Sequence, residues 1–438
     1  MSGSPTRPSI GRPSASDASC GARTEAMRIL MIAPAMPALT GNGLAMRLGV
    51  FLEALSRLGA VDLAVLPVAG QSDASPTLPQ ALGATVNLLP IAGQIDTHFS
   101  LIARLRDPQE RLRAFRQYGR SSLSARLSPH ALGAFAAAFA GRDYDLVHVG
   151  RAYLAEAGLA VAGARRRSLD VDEDDAVAWR SLAKRRRRRG EFDAAAMLEA
   201  DSAALEREMR QNLPRYDLLF ASSAAERVNV RRLAAESPIA IAHNAARVRA
   251  GRLHRGDGPI LFVGGLGYWP NLDGLAWLLG QVWPRVLARV VLPSQLWIAG
   301  DGLTAGVRRL ARQPGIRLLG RVADLDPLYR RAALAVAPLH CGGGTRIKVI
   351  EAALAGVPIV STPFGAAGLP LSDGRDLWLA DRPDDFAVAL RQALADPTER
   401  FRRAASARGH LAVRYERSRV VARLACQFSA LQLTSSPV

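Results

Sequence analysis

One stretch of this chain indicates its fold more clearly than any other: Pro338-Leu-His-Cys-Gly-Gly-Gly-Thr-Arg-Ile-Lys-Val-Ile-Glu-Ala-Ala-Leu-Ala-Gly-Val-Pro-Ile-Val-Ser-Thr362. It predicts a buried strand, a glycine-rich loop, a helix and a second buried strand, in that order. Strand–helix–strand units of this kind build parallel sheets, because parallel strands need a crossover connection. The glycines allow a ligand to approach the backbone, and the helix that follows turns its positive end toward them. The stretch therefore predicts an anion site at a helix start.

The side chains around this glycine loop (residues 342–344: Gly342, Gly343, Gly344) suit a diphosphate. Thr345 is a good N-cap residue, and Arg346 and Lys348 add two cations. Glu351 lies farther along the helix, where a carboxylate is placed to bind ribose hydroxyls. The alternative is a simple turn followed by a surface pair of Lys348 and Glu351, worth roughly a few tenths of a kcal/mol. We favour the anion site, because glycines, cap, cations and acid converge on one helix start.

Strands and helices alternate on both sides of this stretch. In the first half we predict strands at 28–33, 61–68, 145–149, 165–171 and 217–221, and helices at 44–58 and within 176–212. A polar, Gly-rich linker at 245–258 follows. Strands then restart at 260–263, 295–299, 316–318, 334–337 and 358–361, and one final helix is predicted from 397 to 433. Two series of parallel units predict two Rossmann-like lobes, whose ligands bind beyond the carboxyl ends of the strands, in the cleft between lobes.

Length and composition agree with this organisation. The 438 residues suit two domains, and 49% hydrophobic residues suffice for sizeable cores. The predicted boundaries are a disordered leader at 1–26, an N-terminal lobe (N-lobe) at 27–244, a C-terminal lobe (C-lobe) at 245–410, and a crossover helix and tail at 411–438. Three scattered cysteines provide neither a disulfide framework nor a metal-binding spacing, which favours a reducing compartment. No apolar run is long enough for a membrane span.

The formal net charge of +18 raises the question of a polyanionic partner. Arginine is scattered along the whole chain beside abundant alanine, which favours a compositional bias over a dedicated binding surface. One concentrated patch exists, the basic run Lys184–Arg189. It is interpreted either as a solvated helix face or as a contact for an anionic membrane leaflet. Nucleic acid is not expected, because the run has no interleaved aromatic residues and no nucleic-acid motif accompanies it.

The stretch ending in Glu351 resembles the C-lobe signature of the family 4 retaining glycosyltransferases, which have the GT-B fold. Further segments along the chain resemble that family: Phe262–Asp273 its opening C-lobe strand and turn, Ile298–Gly302 its second strand and turn, Leu319–Tyr329 the loop beside the nucleotide base, and Ala242–Ala245 the lobe junction. The resemblance implies an α/β protein with two Rossmann-like lobes, parallel sheets facing a central cleft, and a C-terminal helix packing back toward the N-lobe.

Two departures from the family pattern concern the donor site. The family often has two glutamates separated by seven residues, and Gly343 stands where the first would be. The common Arg and Lys after the first C-lobe strand are also missing, with Gly265 and Asn271 nearby instead. A subgroup with a Gly-Gly-Thr-Arg-x-Lys sequence shares both features. We therefore assign the missing cationic, catalytic role to Arg346 and Lys348.

In the N-lobe, the resemblance places a glycine turn (residues 41–43: Gly41, Asn42, Gly43) and Arg47 against the donor phosphates. Family members often have a functional histidine near the strand that ends with His148. His148 is therefore a catalytic candidate, with a buried, hydrogen-bonded structural histidine as the alternative.

Asp170 and Asp172 form an Asp-x-Asp pattern that in the other large glycosyltransferase fold holds a divalent cation. Here it follows a strand in a turn context, so we interpret it as structural and expect no metal.

The resulting expectation is an enzyme that transfers a sugar, with retention, from a nucleotide-diphosphate sugar to a glycan or lipid-linked acceptor. It is expected in the cytoplasm or on the inner membrane face, in cell-envelope or exopolysaccharide synthesis, and needs no cofactor. A nicotinamide-dependent oxidoreductase is disfavoured, because Gly-x-Gly-x-x-Gly does not follow the first strand. A non-catalytic, nucleotide-sugar-binding partner of a polysaccharide assembly complex remains the alternative.

Overall fold

The computed structural model describes residues 26–68, 75–89, 95–249, 258–288 and 295–433. The predicted leader lies almost wholly outside these residues, as does the linker segment 250–257. Within them the chain forms two lobes, each built on one parallel sheet covered by helices on both faces.

The N-lobe sheet has the order β3-β2-β1-β4-β5-β6-β7. Its strands are β1 (Met27–Ala33), β2 (Gly59–Val65), β3 (Thr85–Leu88), β4 (Tyr144–Gly150), β5 (Ala164–Asp172), β6 (Leu218–Ala221) and β7 (Ile239–Ile241). Its helices are α1 (Gly43–Leu55), α2 (Thr77–Ala81), α3 (Thr97–Ile102), α4 (Pro108–Tyr118), α5 (Pro129–Ala138), α6 (Ala155–Leu159), α7 (Asp175–Arg188), α8 (Phe192–Asn212) and α9 (Ala224–Arg231).

The C-lobe sheet has the order β10-β9-β8-β11-β12-β13. Its strands are β8 (Ile260–Val263), β9 (Leu296–Ala299), β10 (Ile316–Gly320), β11 (Leu334–Ala337), β12 (Ile359–Ser361) and β13 (Trp378–Leu379). The remaining helices are α10 (Trp269–Trp277), α11 (Trp283–Leu287), α12 (Ala305–Leu310), α13 (Asp326–Arg331), α14 (Ile347–Leu354), α15 (Pro363–Ala366), α16 (Pro383–Ala395), α17 (Pro397–Tyr415) and α18 (Arg417–Leu433).

The strand order reverses between β1 and β4 in the N-lobe and between β8 and β11 in the C-lobe. A parallel doubly wound sheet binds its ligands at such a reversal, outside the carboxyl ends of the strands. The loop after β1 leads to the glycine turn, and the loop after β11 leads to the glycine loop. Both predicted donor elements therefore leave their sheets at these points.

The segment 397–433, predicted as one helix, forms the two helices α17 and α18, so the prediction of a single helix was wrong. The chain bends at Glu416, which forms an isolated parallel bridge with Ala246, in the segment that leads from the N-lobe to the C-lobe. Helix α17 packs against α14 in the C-lobe, whereas α18 packs against α1 in the N-lobe, where Val421 and Phe428 are buried in its core. The C-terminus thus ties the two lobes together.

The strands β3, β7 and β13 were not predicted. All three are short, and β3 and β7 are only half-buried, so no strong apolar run announces them. Among the described residues no helix has the length and apolar character of a membrane span.

Candidate donor site in the cleft

The glycine loop joins β11 to α14 at the cleft. Gly342 (φ +109°) and Gly344 (φ +69°) lie in the left-handed region, which other residues rarely adopt. A Cβ on Gly342 would meet the Tyr268 hydroxyl at 2.9 Å. Helix α14 begins at Ile347, and the Thr345 side chain does not cap it. The predicted capping role of Thr345 was wrong: its buried hydroxyl has no partner among the described residues.

Arg346 and Lys348 lie at the start of α14, as predicted, and both are only partly exposed. The Arg346 guanidinium donates to the carbonyls of Gly343 (2.5 Å) and Phe364 (3.3 Å) and stacks on the Phe364 ring. Lys348 Nζ donates to Asn271 Oδ1 at 2.6 Å. Neither cation forms an ion pair with any residue that the structure describes.

Burial without a counter-ion disfavours the charged form of both groups. Burial and the nearby Arg346 charge lower the pKa of Lys348 to about 7, and burial lowers the pKa of Arg346. A bound anion would supply the missing negative charge. The arrangement is therefore an unneutralised cationic site at a helix N-terminus.

Glu351 is buried one turn farther along α14. Burial raises the pKa of its carboxyl group to about 7, against the opposing effect of Arg249. The carboxyl makes no hydrogen bond or ion pair within the described residues, so the alternative of a surface pair with Lys348 does not form. Its hydrogen-bonding capacity remains available to a ligand.

The glycine turn of the N-lobe faces the same helix start across the cleft. A Cβ on Gly43 would lie 3.2 Å from Ile347 Cγ2, and nothing lies within 4 Å of one on Gly41. The Asn42 side chain accepts from the Ala45 amide at 2.8 Å and so caps α1. Gly265 is also open, with no atom within 4 Å of an added Cβ. The Asn271 side chain donates to the Gly265 carbonyl at 2.8 Å and accepts from Lys348, so the structure brings the turn, Gly265 and α14 together.

Arg47 is held in a buried network of ion pairs and hydrogen bonds, and its contact with the donor phosphates stays a prediction. It is 2% exposed and pairs with both oxygens of Asp170, at 2.7 and 2.6 Å. It also donates to the Ala242 carbonyl at 2.8 Å and lies 3.3 Å from Asp172. Burial forced this pairing, because a buried guanidinium needs a carboxylate.

His148 is buried and hydrogen-bonded, as the structural alternative describes, and its catalytic role stays a prediction. Its side chain is fully buried, stacks on Phe51 at 4.6 Å and shares Nδ1 with the Ser168 hydroxyl at 2.9 Å. Phe220 and Phe428 complete the aromatic cluster around it. Burial lowers the pKa of His148 to about 3, so it stays neutral.

The carboxyl ends of β4 and β5 hold a cluster of which the sequence analysis singled out only Asp172. Arg151 (φ +87°) and Asp172 (φ +62°) are the two non-glycine residues with positive φ among the described residues. Buried Arg151 binds the carboxyl groups of Asp172 (2.7 Å), Asp175 and Glu173 (3.4 Å). Strained backbone of this kind is concentrated at functional sites. The acidic run 172–175 was the available signal.

The Asp-x-Asp pair is engaged with arginines, Asp170 with Arg47 and Asp172 with Arg151. No cluster of three or more metal-ligating side chains occurs among the described residues.

The basic run is also largely neutralised. Arg185 and Arg189 reach across the cleft to the buried carboxyl group of Asp273 on α10, at 2.9 and 2.6 Å. Arg186 pairs with Glu191 and covers Trp269, and Arg187 pairs with Glu199. Lys184 and Arg188 remain exposed.

Comparisons with known proteins agree with this geometry. Residues 258–396 match the family model described as Glycosyl transferases group 1. Over 136 residues, 29% of this chain, the sequence is 29% identical to an uncharacterized 44.6 kDa protein in the cps region of Klebsiella pneumoniae. The match spans 35% of that relative, about a third of its length.

Solved structures show the same fold. The chain is similar to Anabaena HepE in complex with UDP and glucose (TM-score 0.60, 15% identity, 92% of this chain and 100% of that chain). It is also similar to sucrose-phosphate synthase of Thermosynechococcus elongatus (0.65, 15%, 93% and 100%) and to the UDP-forming α,α-trehalose-phosphate synthase of Burkholderia xenovorans with glucose-6-phosphate (0.56, 15%, 92% and 99%). These similarities establish the GT-B architecture of two Rossmann-like lobes.

Proposed function

We propose that this chain is a glycosyltransferase that moves a sugar from a nucleotide-diphosphate sugar to a glycan or lipid-linked acceptor. One observation carries the proposal: Arg346 and Lys348 are cations at a helix start that have no acidic partner among the described residues. The glycine turn faces this start from the other lobe. A diphosphate is the ligand class that such a site fits best. The family match over 258–396 covers this segment.

Each residue of the site is assigned a separate role in the transfer reaction. Negative charge grows on the leaving diphosphate as the glycosidic bond breaks, and Arg346, Lys348 and the α14 dipole stabilise it without rearranging. Glu351 is assigned to the ribose hydroxyls, and the glycine turn and Gly265 leave space for the phosphates and sugar. We assign retention of configuration through same-face attack, which needs no carboxylate nucleophile and no metal ion.

Two comparisons guide the choice of substrates. UDP is the nucleotide in the similar HepE complex, so UDP-sugars are the first donors to test. The relative in a cps region supports a role in envelope or exopolysaccharide synthesis. We place the chain on the cytoplasmic side of the membrane, where such precursors are assembled.

The test is nucleotide release from UDP-, GDP- and ADP-sugars, with and without EDTA, for the wild type, Arg346→Ala and Glu351→Ala. Arg308→Ala, an exposed arginine on α12, serves as the matched control. Release should survive EDTA and the control substitution, and should fall about 10²–10³-fold in Arg346→Ala. Donor binding without release under any condition would favour the non-catalytic partner instead. Absence of donor binding would overturn the proposal.

A further inference from the structure

One carboxyl group of the N-lobe lies directly on the glycine loop of the C-lobe. A Cβ on Gly343 would stand 1.8 Å from Oε2 of Glu173, and a Cβ on Gly344 would stand 3.1 Å from the same atom. Gly343, unlike its two neighbours, is not in the left-handed region. Position 343 therefore requires glycine because a side chain there would collide with groups across the cleft, chiefly Glu173. The backbone conformation of the turn does not require it.

Position 343 is where the family pattern that this chain resembles has the first of its two glutamates. A side chain there would begin in the space that the Glu173 carboxyl group occupies. The two cannot coexist without movement, because atoms so close must shift. The carboxyl group missing from the C-lobe sequence is thus present in the cleft, but it comes from the opposite lobe.

The Glu173 carboxyl group is held in place but only half satisfied. Arg151 donates to Oε1 at 3.4 Å, whereas Oε2 is buried and has no partner among the described residues. The Thr345 hydroxyl, on the same loop, is also buried without a partner in that part of the chain. Unpaired buried polar atoms are costly, and a ligand with hydroxyl groups would satisfy both.

The surrounding charges keep Glu173 compatible with a diphosphate. Burial, together with the neighbouring acids, raises the pKa of Glu173 well above the usual carboxyl range. A neutral carboxyl group both donates and accepts hydrogen bonds and does not repel phosphate. The charged and titratable groups around it are Arg151, Asp172, Asp175, Glu226, Tyr268 and Arg346.

We propose that Glu173 is a sugar-binding residue of the donor site, whose carboxyl group hydrogen-bonds the hydroxyl groups of the transferred sugar. It thereby supplies from the N-lobe the carboxyl group that the C-lobe lacks at Gly343. This inference rests on the proposed function and deepens it, since it assigns different parts of the donor to contacts from different lobes. The C-lobe cations bind the diphosphate, and the N-lobe carboxyl group recognises the sugar.

The test compares binding of sugar nucleotides with binding of the free nucleotides. UDP-glucose, GDP-mannose and ADP-glucose are titrated calorimetrically beside UDP, GDP and ADP, for the wild type, Glu173→Ala and the isosteric Glu173→Gln. Glu199→Gln, a surface carboxylate of the same lobe, is the control. Glu173→Ala should weaken the sugar nucleotide roughly ten- to a hundredfold and leave the free nucleotide unchanged. Glu173→Gln, which keeps hydrogen-bonding groups, should lie between.

Three results would overturn the inference. Equal weakening of sugar nucleotide and free nucleotide in the folded variants would make Glu173 a structural or phosphate contact. Unchanged binding of both would show that it does not touch the sugar, with the proposed function intact. If the wild type binds none of the six compounds, the proposed function fails first, and this inference fails with it. Should Glu173→Ala not fold, Glu173→Gln decides alone.

Discussion

The guanidinium group of Arg189 lies 2.6 Å from Oδ1 of Asp273 and joins the two lobes. Asp273 is fully buried in its side chain, and Arg185 binds its other oxygen at 2.9 Å. A buried carboxylate that faces two guanidinium groups contributes more than a surface pair, although both arginines are partly exposed to solvent. This contact bridges the cleft beside the proposed donor site.

We therefore expect Asp273→Asn to weaken the contact between the two lobes. The loss of two charge-assisted hydrogen bonds should lower the free energy of unfolding by about 2 kcal/mol and increase the radius of gyration in small-angle scattering. The control is Asp384→Asn, which breaks an exposed pair with Arg285 and should change stability by less than about 0.5 kcal/mol. Identical scattering and melting of both variants would argue against a clamp.

His148→Phe should retain activity, because His148 is buried in the aromatic core. The variant should also lose a pH dependence of stability. The folded pKa of His148, about 3, lies below its ordinary value of 6.5, so the unfolded chain binds the extra proton. Stability is fully present above about pH 6.5 and falls as the pH drops toward 3, by up to about 1.4 kcal/mol per pH unit from this group.

Urea unfolding of wild type and His148→Phe at several pH values between about 4 and 7 measures that slope. A shallower slope in the variant, with nucleotide release maintained, is expected. A loss of release of two orders of magnitude or more in a folded variant would support the catalytic interpretation of His148.

The two lobes and the glycine loop were predictable because the sequence patterns that indicate them are local. Apolar runs such as 334–337 and the glycines before Arg346 fix a strand, a loop and a helix start within one short stretch. The side-chain partners were not predictable in the same way. The pairing of Arg47 with Asp170 joins residues 123 positions apart, so spacing in the sequence gives no sign of it.

The contact between Glu173 and the glycine loop was missed for the same reason. It depends on how two separately folded lobes face each other, which no periodicity in either lobe encodes. The sequence showed only an acidic run and an absent glutamate at Gly343. The ion pairs of the basic run were not predictable either, because their partner Asp273 belongs to the other lobe.

Donor binding should weaken as the pH rises above neutral. Burial lowers the pKa of Lys348 to about 7, and a bound diphosphate would raise this pKa, so binding requires proton uptake above that pH. The affinity should fall by up to about tenfold per unit between about pH 7 and pH 9. Calorimetric titration of UDP-glucose in buffers of different ionisation enthalpy measures the protons taken up.

Lys348→Met is the matched variant for this effect, with weaker binding and a flatter pH profile. Ionisation of Glu173 acts in the same direction, because a carboxylate repels the diphosphate, so Glu173→Gln separates the two contributions. A wild-type affinity that does not change over this range would remove Lys348 from the diphosphate site.

Gly343→Ala should impair the donor site more than the loss of a glycine alone would explain. The added Cβ would collide with Glu173 Oε2 at 1.8 Å and with the Ala178 Cβ at 2.6 Å, so the lobes must part or Glu173 must leave its place. We expect a loss of at least about tenfold in kcat/KM for nucleotide release. Gly306→Ala is the control, since nothing lies within 4 Å of a Cβ on this helical glycine, and alanine should stabilise it slightly.

A double-mutant cycle locates the cause of that loss. If the collision with Glu173 dominates, Glu173→Ala combined with Gly343→Ala should be less impaired than the two single losses predict. The residual effect then reports the contact with Ala178. Strictly additive losses would show that Gly343 acts independently of Glu173, and that the contact with Ala178, not the carboxyl group, requires glycine at this position.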